Sequence, residues 1–361
     1  MRCLTLRLLF IMLILPALAQ AKIWRVNNNA GIVADFNNLD AALATYQSGD
    51  TIHLEPSATA YTVTGNILAT GNRSLTIIGN GYNLSQNTGL QQDTYNSMIA
   101  SSAASYLYID KFTRFIGVAF NSNVQLLFTS NISDISFESC LFTQDFYSGA
   151  DFSLSYNRSA ADIGFKKNYF RGAVNLVFGT SNFFFSNVTG FDFENNIVLG
   201  FFSFGSTNTE MNEHVIRNNV FAGALNIKNS YVANNIFTQS EIIGGSFTNS
   251  ILKNNLFAIS QQSSNVGVIE SNNMYGVDMS TVFQSTQTTQ DKFFQLLAGS
   301  PAIGAGVPNG STAVDCGAFG GPNPYKLSGI PAIPSIYELQ VPTIINTGTN
   351  AQINVKSRSN N

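Results

Sequence analysis

Between Gly164 and Tyr275 one short pattern recurs six times: a few apolar residues, a turn-forming pair that is Asn-Asn in five of the six, then two more apolar residues. The copies run Gly164–Phe170, Phe191–Val198, Val215–Phe221, Tyr231–Phe237, Ile251–Phe257 and Ile269–Tyr275, and weaker ones precede them at Ile77–Tyr82, Phe115–Phe120 and Ile135–Phe142. Successive copies end 16 to 38 residues apart. A strand-rich, helix-poor step near twenty residues is the period of one coil of a β-solenoid. The longest step, from Tyr82 to Phe120, is expected to contain a coil with a degraded signature. Asn tolerates the left-handed backbone that a two-residue corner demands, and stacked corner amides can hydrogen-bond along the axis. A sandwich of hairpins would instead need Asn-Gly or Asp-Gly turns roughly every 8 to 12 residues. Such turns are nearly absent, so the repeat predicts an all-β parallel solenoid.

Composition agrees. Charged residues make up 11% of the 361, against about a quarter in an average globular chain, while there are 42 Asn and 29 Phe. A net charge of -3 without a basic stripe points away from nucleic acid as a partner. Arg2 and Arg7 precede an apolar run from Leu8 to Ala19 that ends in small residues, the pattern of a secretory signal peptide over residues 1–21. An uncleaved anchor is the alternative, though the run is short for a bilayer. No later stretch is long enough to span a membrane. The expected mature protein is therefore a monomer, secreted or on the outer surface of a Gram-negative bacterium, with the periplasm as the other compartment. Cys140 and Cys316 have no metal-site spacing and sit among apolar or glycine neighbours, so buried free thiols are expected over a disulfide.

Leu39, Ala42, Leu43 and Tyr46 fall at helical spacing behind Asn37 and Asn38, which predicts a short amphipathic helix plugging the N-terminal end of the solenoid. Thr51–Leu54 follows as an alternating first strand. Phe36-x-x-Leu39-x-x-Ala42-Leu43, then Ser48-Gly49-Asp50-Thr51-Ile52-x-Leu54-x-Pro56, resembles the opening of pectate-lyase-like right-handed parallel β-helix proteins. Gly299–Gly306, Asp315–Gly321 and Tyr325–Pro334 resemble the ending of secreted bacterial members. The resemblance implies a right-handed coil over 22–300 with the N-terminal cap, and a Pro/Gly-rich wrap over 301–361 ending in a closing strand or attachment tail at Val341–Asn361. The superfamily spans lyases, hydrolases, adhesins and proteins without known activity, so the fold alone does not fix function.

In lyases of this fold, substrate lies along the outward face of one long sheet, and the counterpart here is the strand preceding each corner segment. Alternation places Phe152, Leu154, Val174, Leu176, Phe202, Phe204, Leu225 and Ile227 inward. The outward residues, and the glycan-contact candidates, are then Asp151, Asn175, Asn226 and Lys228, with serines between them. One Asp and one distant Lys do not supply the base and charge-neutralising cation that β-elimination requires. Asp192 and Glu194 share an outward strand face and are weak candidates for Ca²⁺, the one cofactor considered; a solvated face explains them too. Asp145, Asp151, Arg158 and Asp162 lie in one interruption, Lys166, Lys167 and Arg171 surround one corner, and Glu210, Glu213, His214 and Arg217 surround another. His53 reads as a surface strand residue, and no Gly-His-Gly, Arg-Ile-Lys or Gly-x-Ser-x-Gly occurs.

Two function classes follow. The preferred one is a non-catalytic exported protein whose Asn/Ser-lined face binds a polysaccharide or cell-surface glycan. The alternative is a polysaccharide lyase or glycoside hydrolase acting on an acidic polysaccharide, with 145–171 or Asp192 and Glu194 supplying the chemistry; four or more charged side chains converging in one groove would favour it. A structural stalk is the third.

Overall fold

The computed structural model describes residues 21–360 except 66, 68–72, 103–105, 128–131, 150–157, 178–184, 206–213, 240–245, 261–264, 286–289, 344–347 and 349. Three parallel sheets of eleven, nine and seven strands stack their strands in sequence order, every second or third strand of the chain returning to the same sheet. We name them sheets A, B and C. One coil visits A, then B, then C: Phe185–Glu194, Ile197–Val198 and Phe202–Gly205 make up one turn, and His214–Arg217, Val220–Phe221 and Leu225–Lys228 the next. This is the all-β parallel solenoid that the repeat predicts.

The Asn pairs form the A-to-B corner. The first residue of each pair takes positive φ, from Ser139 (56°) and Lys167 (60°) through Asn195, Asn218, Asn234 and Asn254 to Asn272 (53°). The second residue points inward. The ladder runs from Asn168 to Asn273, and from Asn196 through Asn219, Asn235 and Asn255 to Asn273 each amide oxygen accepts both the backbone N–H and the Nδ2 of the preceding ladder residue, at 2.8–3.1 Å. Each Nδ2 also donates to a sheet-A carbonyl one coil back, as Asn219 does to Phe193 O at 2.8 Å. Cys140 starts the ladder, donating only its N–H, to Asn168 Oδ1 (2.9 Å).

Inside, aromatic rings repeat at the coil spacing. Phe120, Phe142 and Phe170 stack at 4.9 and 4.6 Å, and Phe221, Phe237, Phe257 and Tyr275 at 5.2, 4.6 and 4.7 Å. These offset stacks fill a column whose rungs lie ~4.8 Å apart. Sheet B is buried on its outer face as well. Leu141, Tyr169, Ile197, Val220, Ile236 and Leu256 form a second core with Val282, Phe294, Ala302, Cys316, Ala318 and Tyr325 of the C-terminal segment. That segment runs back along the Asn corner. Asn254 Nδ2 donates to Ala305 O (2.7 Å), Asn234 Oδ1 accepts from Val307 N (2.8 Å), Asn218 Nδ2 donates to Asp315 O (3.0 Å), and Asn195 Nδ2 donates to Gly320 O (2.7 Å). It ends against the N-terminal coils, where Ser328 O accepts from Tyr82 N (2.8 Å), and then forms an antiparallel hairpin of Ser335–Gln340 with Asn354–Arg358.

Three expectations change. The first strand is Ile23–Val26, ahead of the helix and paired with Thr51–Leu54. The long step from Tyr82 to Phe120 contains no extra coil, because Leu75–Ile78 pairs directly with Thr113–Ile116; the additional length is an excursion over residues 79–97. The coil position read as Phe152 and Leu154 belongs to Phe146–Gly149, since Phe146 pairs with Val174 and Tyr147 with Asn175. Phe152-Ser153-Leu154 has the apolar alternation and Phe146-Tyr147-Ser148 does not, so alternation alone points to the wrong segment. Helix α1, Leu39–Thr45, forms with Asn38 as N-cap, its Oδ1 accepting from Ala41 N (2.8 Å), and buries Leu39 and Ala42 in the coil's core. Asp50 ties the region together, accepting from Lys22 N, Trp24 Nε1 and Gln47 N, each at 2.8 Å. Cys140 and Cys316 are both free and buried, and burial pushes both thiols up to about 12.

Candidate functional site

Sheet C presents the face on which sequence reasoning placed the glycan contacts. Strand pairing aligns one outward column through Tyr108, Gln125, Tyr147, Asn175, Ser203 and Asn226. Asn175 and Asn226 thus stand two coils apart on either side of the buried Ser203, and Lys228 projects beside them, exposed. Among the described residues, the amide oxygens of Asn175 and Asn226 are buried and meet no hydrogen-bond donor. Burying an unsatisfied acceptor costs about 1–3 kcal/mol, so two in one column mark a place that lacks a partner. Asp151 lies outside the described residues.

The N-terminal half of this face is aromatic, a feature that the sequence reading missed. Tyr106 stacks on Tyr108 (6.2 Å) and meets the edge of Tyr147 (6.0 Å), and the exposed Phe201 follows farther along the same face. Tyr147 donates to Asp145 Oδ2 (2.7 Å), and that carboxylate, with burial, holds the phenol up at about 12. Asp145 also accepts from Ala173 N at 2.7 Å, so it serves as a bracket for the ring. A signal was present: in four successive coils the sheet-C outward residue lies seven positions past the ladder position, which takes Cys140 to Tyr147, Asn168 to Asn175, Asn196 to Ser203 and Asn219 to Asn226.

Charge collects on another face. Arg114, Glu138, Asp162, Lys166 and Asp192 line a cleft of about 400 Å³ on sheet A. Left-handed residues at Asp134, Asp162 and Gly190 drop one pair from the ladder beside it without shifting its register. Glu138 meets Arg114 (2.9 Å) and Lys167 (3.3 Å), Asp192 meets Lys166 (3.6 Å) and Glu194 meets Arg217 (2.9 Å). Burial works to raise Glu138, but its two cationic partners outweigh burial and hold it below the usual carboxylate range. Asp192 and Glu194 do share the outward face, each already facing a cation. Among the described residues no three His, Cys, Asp or Glu side chains gather as metal ligands.

The remaining candidates separate. His53 Nε2 lies 2.9 Å from Asn80 Oδ1 at the edge of a cavity of about 680 Å³ walled by Tyr95, Pro334 and Ile336. His214 is buried inside the coil, its ring 5.1 Å from that of Phe204. Arg171 lies 5.6 Å from the Tyr169 ring. Arg158 begins a long sheet-A strand, and Glu210 and Glu213 lie outside the described residues. Among the described residues no helix is long and apolar enough to cross a membrane.

The chain matches no protein-family model and no curated protein.

Proposed function

We propose that this is an exported, monomeric glycan-binding protein that holds a polysaccharide against the outward face of sheet C without cleaving it. The observation that carries this reading is the outward column of Asn175, Ser203 and Asn226, an uncharged run of amides and a hydroxyl that follows Tyr147 along sheet C. Two coils span about 9.6 Å, so a glycan running along the axis would pass both amide side chains. Lys228 at the C-terminal end and the tyrosines at the other extend the same surface. The accompanying architecture is a right-handed, pectate-lyase-like coil, the hand favoured for parallel strand crossovers, with α1 plugging its N-terminal end and 301–361 as the wrap. The signal peptide directs it to the outer surface or medium, and no Ca²⁺ is needed. Affinity electrophoresis over a panel of polysaccharides tests the reading: retardation by at least one polymer is expected, weakened when Asn175 and Asn226 are both replaced by Ala. No retardation by any polymer would sink it.

A second reading, a lyase or hydrolase for acidic polysaccharide, draws on the five charged side chains lining the sheet-A cleft. A general acid or base must exchange its proton near the working pH. Glu138 is held ionised, which disfavours it for that role, and Asp192 is paired with Lys166 at 3.6 Å. Unsaturated product from polygalacturonate or alginate, followed by absorbance, would revive it.

A further inference from the structure

We infer that the bound glycan is a neutral one, and that Tyr106, Tyr147 and Phe201 form a stacking track that takes the apolar faces of its sugar rings. This deepens the glycan-binding reading and rests on it. The charge on the face comes first. The two columns that make up the described face contribute amides, hydroxyls, alanine and aromatic rings, with Lys228 at one end. The carboxylate in this stretch, Asp145, is spent on the Tyr147 hydroxyl and the Ala173 N–H. A polyuronate would set one carboxylate per residue against this surface, and a row of amides and rings does not compensate that charge.

Large rings left outside a core are uncommon in a chain that buries most of its Phe, yet Tyr106 is 36% and Phe201 40% exposed on this one face. Tyr106 and Tyr147 meet although a whole coil, that of Asn123 and Gln125, stands between theirs, so their rings form one apolar strip. Pairing places Phe201 in the same column as Tyr106 and Asp145, four coils on, about 19 Å away at the usual strand spacing. Between the strip and Phe201 lies Asn175, and beyond Phe201 lies Asn226. Rings and amides therefore alternate along the axis, which suits pyranose units that offer a C–H face to one neighbour and hydroxyls to the next. Tyr147 keeps its proton through any neutral pH, so its ring stays uncharged beneath the sugar.

The test uses the full chain against neutral polymers (β-glucan, xylan, galactomannan) and anionic ones (polygalacturonate, alginate). Retardation by a neutral polymer is expected, with Tyr106→Ala and Tyr147→Ala each weakening it about tenfold, the size of one aromatic contact, and Tyr147→Phe leaving it within about twofold. The unsubstituted chain provides a check free of folding effects: a neutral oligosaccharide should perturb its tyrosine absorption. Binding of anionic polymers alone, alanine variants as tight as the parent, or an unperturbed tyrosine spectrum would overturn this inference and leave glycan binding standing. No binding to any polymer would overturn both.

Discussion

The corner divides its labour between two asparagines that look alike in the sequence. In the Asn218–Asn219 pair, Asn218 takes the left-handed turn at φ 55° and reaches out to Asp315, while Asn219 points in and joins four hydrogen bonds of the buried ladder. Asn219→Ala strips partners from Asn196, Asn235 and Phe193 at once. It should lower stability by about 2–4 kcal/mol in denaturant unfolding, because the groups left behind are buried. Asn218→Gly keeps the turn and gives up two bonds, to Asp315 O (3.0 Å) and from Asn234 Nδ2 (3.3 Å), so it should cost only about 1–2 kcal/mol. An equal loss from both would contradict this division. The two thiols offer a separate check. With burial raising both to about 12, Cys140 and Cys316 should resist a thiol reagent at pH 8 in the native protein and react stoichiometrically once it is unfolded.

Among the elements, the B-to-C corner runs on the opposite rule from the Asn corner. Gly172, Gly200 and Gly223 stack there, and a Cβ on Gly223 would lie 2.0 Å from Gly200 O, one on Gly200 2.4 Å from Gly172 O. Gly200→Ala should therefore push adjacent coils apart and cost more than ~3 kcal/mol, read as a fall in melting temperature, whereas Gly205→Ala, whose nearest neighbour is the flexible Lys228 side chain, should cost well under half that. The Asn corner was legible from sequence because its chemistry is uniform along the axis. The glycine column was not, since Gly-to-Gly spacing follows the varying coil length. The same variation hid Tyr147. Chain between sheet C and the next sheet-A strand ranges from Asn229-Ser230 after Lys228 to the eight residues 206–213 after Gly205, so counting back from the next corner misplaces the strand, while counting forward from the previous one finds it. Of the candidate site, Asn175, Asn226 and Lys228 could be placed from alternation; the aromatic strip depended on a register that alternation misplaces.

At the scale of the whole molecule, the coil is completed by its own C-terminus. Asp291, fully buried, accepts from Asn87 Nδ2 (3.1 Å), Tyr325 hydroxyl (3.1 Å) and Ser328 N (2.7 Å), fastening that segment to the N-terminal excursion, where Tyr82 and Tyr325 hydroxyls meet at 2.5 Å. Deleting residues 301–361 should uncover the outer side of sheet B and be read as new binding of an apolar dye. A chain that stays dye-silent and folded would show that the outer core is dispensable. The buried thiols and phenols also set an alkaline limit. Burial raises Cys140 and Cys316 from 9.0, and Tyr169 from 10.0, each to about 12, so the folded state holds these protons after the unfolded chain has released them. Their contribution is complete below pH 9 and drains away as pH climbs from there to about 12, so the denaturant midpoint should fall between pH 8 and 11.

That closure by the last segment has a consequence in time. Partners such as Tyr82 and Tyr325 stand 243 positions apart in the chain, and Leu90 and Arg358 stand 268 apart. A chain emerging from the ribosome amino end first can lay down coil upon coil as it appears, each needing only its predecessor. The stripe from Leu141 to Leu256 gains its cover only from Val282 to Tyr325, so every nascent copy passes most of its synthesis as a sticky, half-dressed rod. Its vulnerability to aggregation or capture belongs to that interval, and ends with a single late event.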